Sequence, residues 1–329
     1  MTTAGSDDER QEQTASLSFP DTPSLSAHSE EVVLHGGFNA LYQFQVSFSF
    51  LLLSAIGLAV IFGMMGVINL AHGEFMMLGA YITTIVATHG VPLVAAVLIA
   101  GLGVGAFGAI VEILVVRRLY GRLLDSVAAT WAVGLILSQG MLILTGPSMQ
   151  GISSPFGSFT VGQTSYSWYR VVLGIISVIL LALLYVLFMK TKFGLRSRAT
   201  IQNPSIAQAL GVNTARMYTL TFALGSALAG LAGGLFAPTA TIVPFFGTNY
   251  IVEAFVTVIV GGANALLGTP IAAALLGAIN AALGTKYGLY IGRVGLLLTT
   301  IIIIRVLPDG ISGLLERWRM RPSGARSRK

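Results

Sequence analysis

The chain has 329 residues, of which 54% are hydrophobic and 10% charged, with a formal net charge of +6 and no cysteine. Soluble domains carry roughly 25% charged residues, so this composition argues against a soluble fold. Without cysteine there is no disulfide framework, no thiolate metal site and no thiol redox chemistry.

Residues 1–37 hold Asp7, Asp8, Glu9, Glu12, Asp21, Glu30 and Glu31 against one base, Arg10, with Ser, Thr and Pro interleaved. That composition predicts a disordered acidic tail and lacks the basic start and apolar core of a signal peptide. Apolar stretches follow at about 41–64, 66–88, 91–116, 124–145, 170–189, 217–237, 250–266, 267–285 and 293–308. They do not alternate, and a crossing takes about 20 residues to cover about 30 Å of hydrocarbon, so helices are expected rather than a barrel. The expected fold is all-α, a polytopic transmembrane bundle over residues 38–316 with eight or nine spans. The 39 glycines suit it, because small residues let transmembrane helices approach closely.

The basic segments Arg117–Arg122 and Lys190–Arg216 belong on the cytoplasmic side, separated by two spans and the polar loop 146–169. Counting outward from them places the N-terminus outside and the basic tail 317–329 inside, in a cell inner membrane. That tail, Arg317, Arg319, Arg321, Arg326, Arg328 and Lys329 against Glu316, marks a membrane surface and not a nucleic-acid partner.

The first two stretches join without a polar loop, and few residues separate Gly73 from His89, so a broken helix is expected near Asn69–Glu74. Asn69, His72 and Glu74 stand in apolar surroundings there and are substrate-path candidates. Asn69 and Glu74 are equally explained as caps for amides exposed by the break. Glu253, three residues into a later span, is either a path residue or an interfacial charge. Glu112, five residues before Arg117, reads as a structural ion partner, and Trp131, Trp168 and Tyr169 as interface or packing aromatics.

In the 190–216 loop Asn203 fits an N-cap, Pro204 the first helical position and Gly211 the C′ position, which predicts a short helix over Pro204–Leu210. Its apolar face would be Ile206, Ala207 and Leu210, either lying on lipid or docking a partner protein. No Gly-Lys dipeptide occurs, so there is no phosphate-cradling loop and no ATP hydrolysis by this chain; H-E-x-x-H and G-x-S-x-G are absent as well. No catalytic, metal or cofactor residues are expected.

At these residues the sequence resembles permeases of the branched-chain amino acid and amide class of ABC importers. The segment Gly57–Tyr81, which contains Gly66-Val-Ile-Asn-Leu-Ala-His-Gly-Glu-Phe75, looks like the N-terminal signature of that class. Arg198–Val212 with Gly225–Gly234 looks like its cytoplasmic coupling region, and Leu307-Pro-Asp-Gly-Ile311 like its ending. The stretches 119–131 and 247–255 look closer to the urea-permease branch. The resemblance covers about residues 40–315. It implies translocation of urea, short amides or branched-chain amino acids, two cytoplasmic ATPase subunits that use the ATP, a second homologous permease, and an extracytoplasmic solute-binding protein. It also makes Asn203, Pro204, Ile206, Ala207, Leu210 and Gly211 the ATPase-coupling element. Two rival readings remain open on the residues themselves: a secondary transporter with Glu74 and Glu253 as ion-coupling carboxylates, and an intramembrane enzyme, for which no convergent catalytic groups are found.

Overall fold

The computed structural model of the chain describes residues 25–262 and 265–319. Helix α1 spans Leu25–Met65; its stretch up to Asn39 belongs to a unit of its own, and the rest of the chain forms the unit Ala40–Lys329. Thirteen residues of the expected tail, 25–37, are thus helical, and the rest of that tail lies outside the described residues.

After α1 come α2 (His72–Thr88), α3 (Leu93–Leu114), a 3-10 turn at Val116–Leu119 and α4 (Leu123–Thr145). A β-hairpin of β1 (Ser158–Val161) and β2 (Thr164–Ser167) leads straight into α5 (Trp168–Lys190). Two short helices, α6 (Lys192–Gln202) and α7 (Pro204–Ala209), precede α8 (Thr214–Phe236). The chain continues through α9 (Thr248–Gly261), α10 (Ala265–Tyr287), α11 (Leu289–Val306) and α12 (Gly310–Arg319). The hairpin, α6 and α12 were not foreseen in the sequence.

Seven described helices are long and apolar enough to cross a membrane, carried by α1, α3, α4, α5, α8, α10 and α11. By length and composition alone they do not confirm the expected eight or nine. The remaining apolar stretches fold as α2, of 17 residues, and α9, of 14. At 1.5 Å per residue these reach only about 26 Å and about 21 Å, short of the ~30 Å hydrocarbon core.

The core is built on α1 and α8, which carry the largest buried shares of the long helices. Glycine makes the close approaches possible. Gly101, Gly105 and Gly108 turn one face of α3 onto Leu231, Ala227 and Ser226 of α8, and Gly79 of α2 lies against Gly230. Gly57 of α1 meets Gly225, while Phe50 stacks on Phe236. These pairings run both α1 and α3 antiparallel to α8. Because α1 and α3 then point the same way, residues 66–92 must carry the chain back between them. The same holds for the connection from α8 to α10, since Gly277 and Asn280 of α10 meet Phe48 and Ser47 of α1.

Candidate functional site

The helix break is real and lies at residues 66–71, slightly earlier than expected. Gly66 turns the chain out of α1 with φ 63°, a conformation that favours glycine. The irregular stretch frees backbone groups within the helix bundle, and α4 answers them. Thr130 Oγ1 accepts from the Leu70 amide at 3.1 Å and faces the Ile68 carbonyl at 3.3 Å. Ser126, Thr130, Gly134 and Ser138 recur every four residues and form the buried stripe of α4. That stripe was missed in the sequence, although its four-residue spacing was there to be read.

The sequence-predicted residues gather at the same place. Asn69 is fully buried; its Oδ1 accepts from the Ala71 amide at 3.1 Å, and its Nδ2 has no partner. His72, also buried, donates from Nε2 to the Ser54 carbonyl at 2.9 Å, which leaves Nδ1 unpartnered and, in the neutral ring, a bare acceptor. Glu74 lies in the first turn of α2, points toward α4, and receives a long 3.5 Å hydrogen bond from Ser138. The capping reading of Asn69 is met by one amide; neither Asn69 nor Glu74 makes a side-chain cap of α2 itself.

Opposite the break, α9 begins. A Cβ on Gly73 would stand 2.8 Å from the Gly247 carbonyl oxygen, so the amino ends of α2 and α9 touch, backbone to backbone. Both helices direct the positive ends of their dipoles into this junction, where the first amides of α9 close back on the carbonyls of Phe245, Phe246 and Gly247. Phe246 and Tyr250 flank this junction and continue through Phe236 to Phe50, with ring centroids 4.5–5.2 Å apart along the series. Glu253 does not join the group. Its carboxylate pairs with Arg293, whose second nitrogen also donates to the Asn249 carbonyl at 2.8 Å.

At the other end of α8 sits a second polar cluster. Glu112, fully buried, accepts from Arg117 at 3.0 Å and from the Tyr120 hydroxyl, and Arg117 also donates to Thr219 Oγ1 at 2.7 Å. Burial and the adjacent Glu112 carboxylate push the Tyr120 phenol well above its ordinary value, so it stays a donor. The turn between α3 and α4 is thereby tied to the first turns of α8, as the ion-partner reading of Glu112 expected.

The 190–216 loop leads into that same end of α8. Thr191, Asn203 and Asn213 each cap the following helix through a side-chain oxygen, whereas α2, α3, α4, α5, α9 and α11 start without one. Pro204 opens α7, and Gly211, φ 84°, closes it with the Val212 amide on the Ala207 carbonyl and the Gly211 amide on that of Gln208. One detail of the expected face changes. Ile206 and Leu210 are 58% and 79% exposed, but Ala207 is 2% exposed and packs inward. Among the described residues no group of three or more metal-binding side chains occurs.

A family model described as the permease component of a branched-chain amino acid transport system matches residues 40–307. Among curated proteins, the chain is 29% identical over 282 residues to the "Probable branched-chain amino acid transport permease protein LivH" of Methanocaldococcus jannaschii, covering 80% of this chain and 89% of that one. It is 27% identical to the high-affinity branched-chain amino acid transport system permease protein LivH of Escherichia coli K12, over 80% of this chain and 91% of the relative. It is 26% identical to the permease protein BraD of the corresponding Pseudomonas aeruginosa system, over 80% and 92%. No solved structure matches the chain significantly.

Proposed function

Since the chain belongs to the family of branched-chain amino acid transport permease components, we infer that it is the membrane subunit of an ABC importer that brings branched-chain amino acids across the inner membrane. The match over residues 40–307 carries this reading, because it takes in the helix break, the capped α7 and the α9 start together. Two cytoplasmic ATPases, a second homologous permease and an extracytoplasmic binding protein complete the assembly. Lys190, Lys192, Arg196 and Arg198 favour a cytoplasmic α6–α7 end and, with it, an external hairpin at the other end of α5.

In this reading the solute passes the junction of α2 and α9, where Asn69 and His72 offer an unpartnered donor and acceptor and Glu74 holds the polar seam to α4. α7 seats in the ATPase through Ile206 and Leu210, and nucleotide-driven movement reaches the bundle through α8. The permease contributes by holding different contacts in its outward-open and inward-open states. No bond in the solute is made or broken.

The test is ATP-driven uptake by vesicles containing the whole assembly, with labelled leucine, isoleucine, valine and urea. Uptake of the three amino acids that needs ATP and ignores ionophores is expected. Uptake collapsed by ionophores in the presence of ATP would make Glu74 an ion-coupling carboxylate instead. Uptake of urea alone would follow the two stretches, 119–131 and 247–255, that look like the urea branch.

A further inference from the structure

At the hairpin end of the molecule, remote from the 66–74 break in sequence, lies a cavity of about 400 Å³ between α1 at Tyr42 and Gln43, the β-hairpin, the first turn of α5 and the residues just after α8. Its lining is almost wholly uncharged. Serine and threonine hydroxyls dominate, among them Ser158, Ser167 and Thr239, beside the rings of Tyr42 and Tyr166. The one ionised group in that lining is Arg170.

Three observations make this more than a surface dent. Its wall is fixed: the Tyr42 hydroxyl both donates to the Ser167 carbonyl and accepts from the Ser167 amide at 3.1 Å, and Gln45 holds the Arg170 carbonyl at 3.0 Å. Its apolar surface is ordered as well, with the Tyr42 and Tyr166 rings edge to face at 4.7 Å and Pro238 beside them. And its cation is uncommitted. Arg293, also at this end, is taken up by Glu253 and the Asn249 carbonyl, whereas the Arg170 guanidinium has no carboxylate or hydrogen-bond partner among the described residues.

A guanidinium in an otherwise neutral, hydroxyl-lined cavity suits a small carboxylate whose remaining surface is partly apolar. The hydroxyl lone pairs provide neutral acceptors for an ammonium group, and the tyrosine and proline faces provide cover for a branched aliphatic chain. No acidic group lines the cavity, so the zwitterion is held firmly at one end only, which permits release onward.

We propose that this cavity is a receiving site for the free amino acid on the outer face, with Arg170 binding its carboxylate before the solute enters the path at the α2–α9 junction. The proposal rests on the importer reading above and adds to it a preference for carboxylate solutes over urea, which would gain nothing from a cation here.

The whole assembly, with its ATPases, second permease and binding protein, is reconstituted in vesicles with wild-type chain, R170K or R170Q. Leucine uptake at saturating binding protein should fall by about tenfold or more in R170Q, as loss of a charge-assisted hydrogen bond implies, and recover in part in R170K. Binding of labelled leucine to the assembly without binding protein should be lost in R170Q, and in the wild type it should be displaced by 4-methyl-2-oxopentanoate but not by leucinol, which lacks the carboxylate. Affinity of the loaded binding protein for the assembly should stay unchanged. Wild-type uptake with R170Q equally active would overturn the site alone. A drop in R170Q that tracked weakened binding-protein association and vanished at high salt would overturn it in favour of a protein dock. A wild-type assembly that carried no branched-chain amino acid would overturn the importer reading, and this site with it.

Discussion

At the scale of single residues, the break is held by a few polar atoms whose removal has different consequences. Glu74 is partly exposed and linked to α4 by one long hydrogen bond, so its carboxylate contributes little to folding. Glu74→Ala should therefore lower uptake per folded permease severalfold while leaving the amount of folded protein nearly unchanged; equal losses of both would reduce Glu74 to a structural part. Thr130 is different, because its hydroxyl accepts from the Leu70 amide of the irregular stretch while its own proton lies on the Ser126 carbonyl of α4. Gly247 is stricter still. A Cβ there would collide with the backbone of Gly73, and backbone cannot swing aside as a side chain can. Gly247→Ala should cost about 1–3 kcal/mol through overpacking, read as a lower melting temperature of the purified permease. A variant as stable as wild type would mean that the α2 and α9 starts do not meet as described. Asn69, His72 and Glu74 were legible in sequence because polar residues are rare in apolar runs. Arg170 was not, since an arginine beside a predicted membrane boundary looks like any other interfacial charge, and only the cavity singles it out.

At the scale of elements, the short helices of the 190–216 loop cannot stand by themselves, and their ends carry what stability they have. Asn203→Ala removes the cap of α7 and should cost about 1 kcal/mol of local stability, seen as faster amide exchange over 204–210. The coupling role is tested on the face that is open. Ile206→Glu with Leu210→Glu should abolish co-purification with the ATPase and ATP-driven uptake while the permease still inserts; wild-type yields of both would end the coupling reading. Ala207→Glu is the contrasting case, since it places a charge in a packed position and should lower the amount of folded permease itself. The bounds of α7 were readable because Asn, Pro and Gly each act through local backbone geometry. Which side of it faces outward was not, because with only six residues no periodicity separates Ala207 from Ile206. The hairpin escaped notice for a related reason: two four-residue strands of Ser, Thr and aromatic residues with a single Val carry too little pattern to stand out from a polar loop.

At the scale of the whole molecule, composition announced a helical membrane protein and the apolar runs located the seven described helices long enough to cross a membrane, while two further runs fold as the shorter α2 and α9. Hydropathy measures how much apolar chain there is, not whether it winds continuously, so 66–88 and 250–266 looked like full spans. The absence of cysteine makes the proposed orientation simple to check. A single thiol at the hairpin turn, Gln163→Cys, should react with an impermeant maleimide from outside intact cells, and Ser205→Cys on α7 only after the membrane is opened. The opposite pattern would invert the molecule. The two short helices have a further consequence for biogenesis. Each carries the chain back through the bundle in fewer residues than the long helices use, and so short a helix, preceded by a buried Asn or by a proline and two aromatics, has little tendency to leave the translocon for lipid unaided. The α2 segment must then wait for α8, which receives it at Gly230 and Gly233, and α9 for α10, which makes insertion of this chain stepwise and places its point of greatest exposure to membrane proteases before those two pairs have closed.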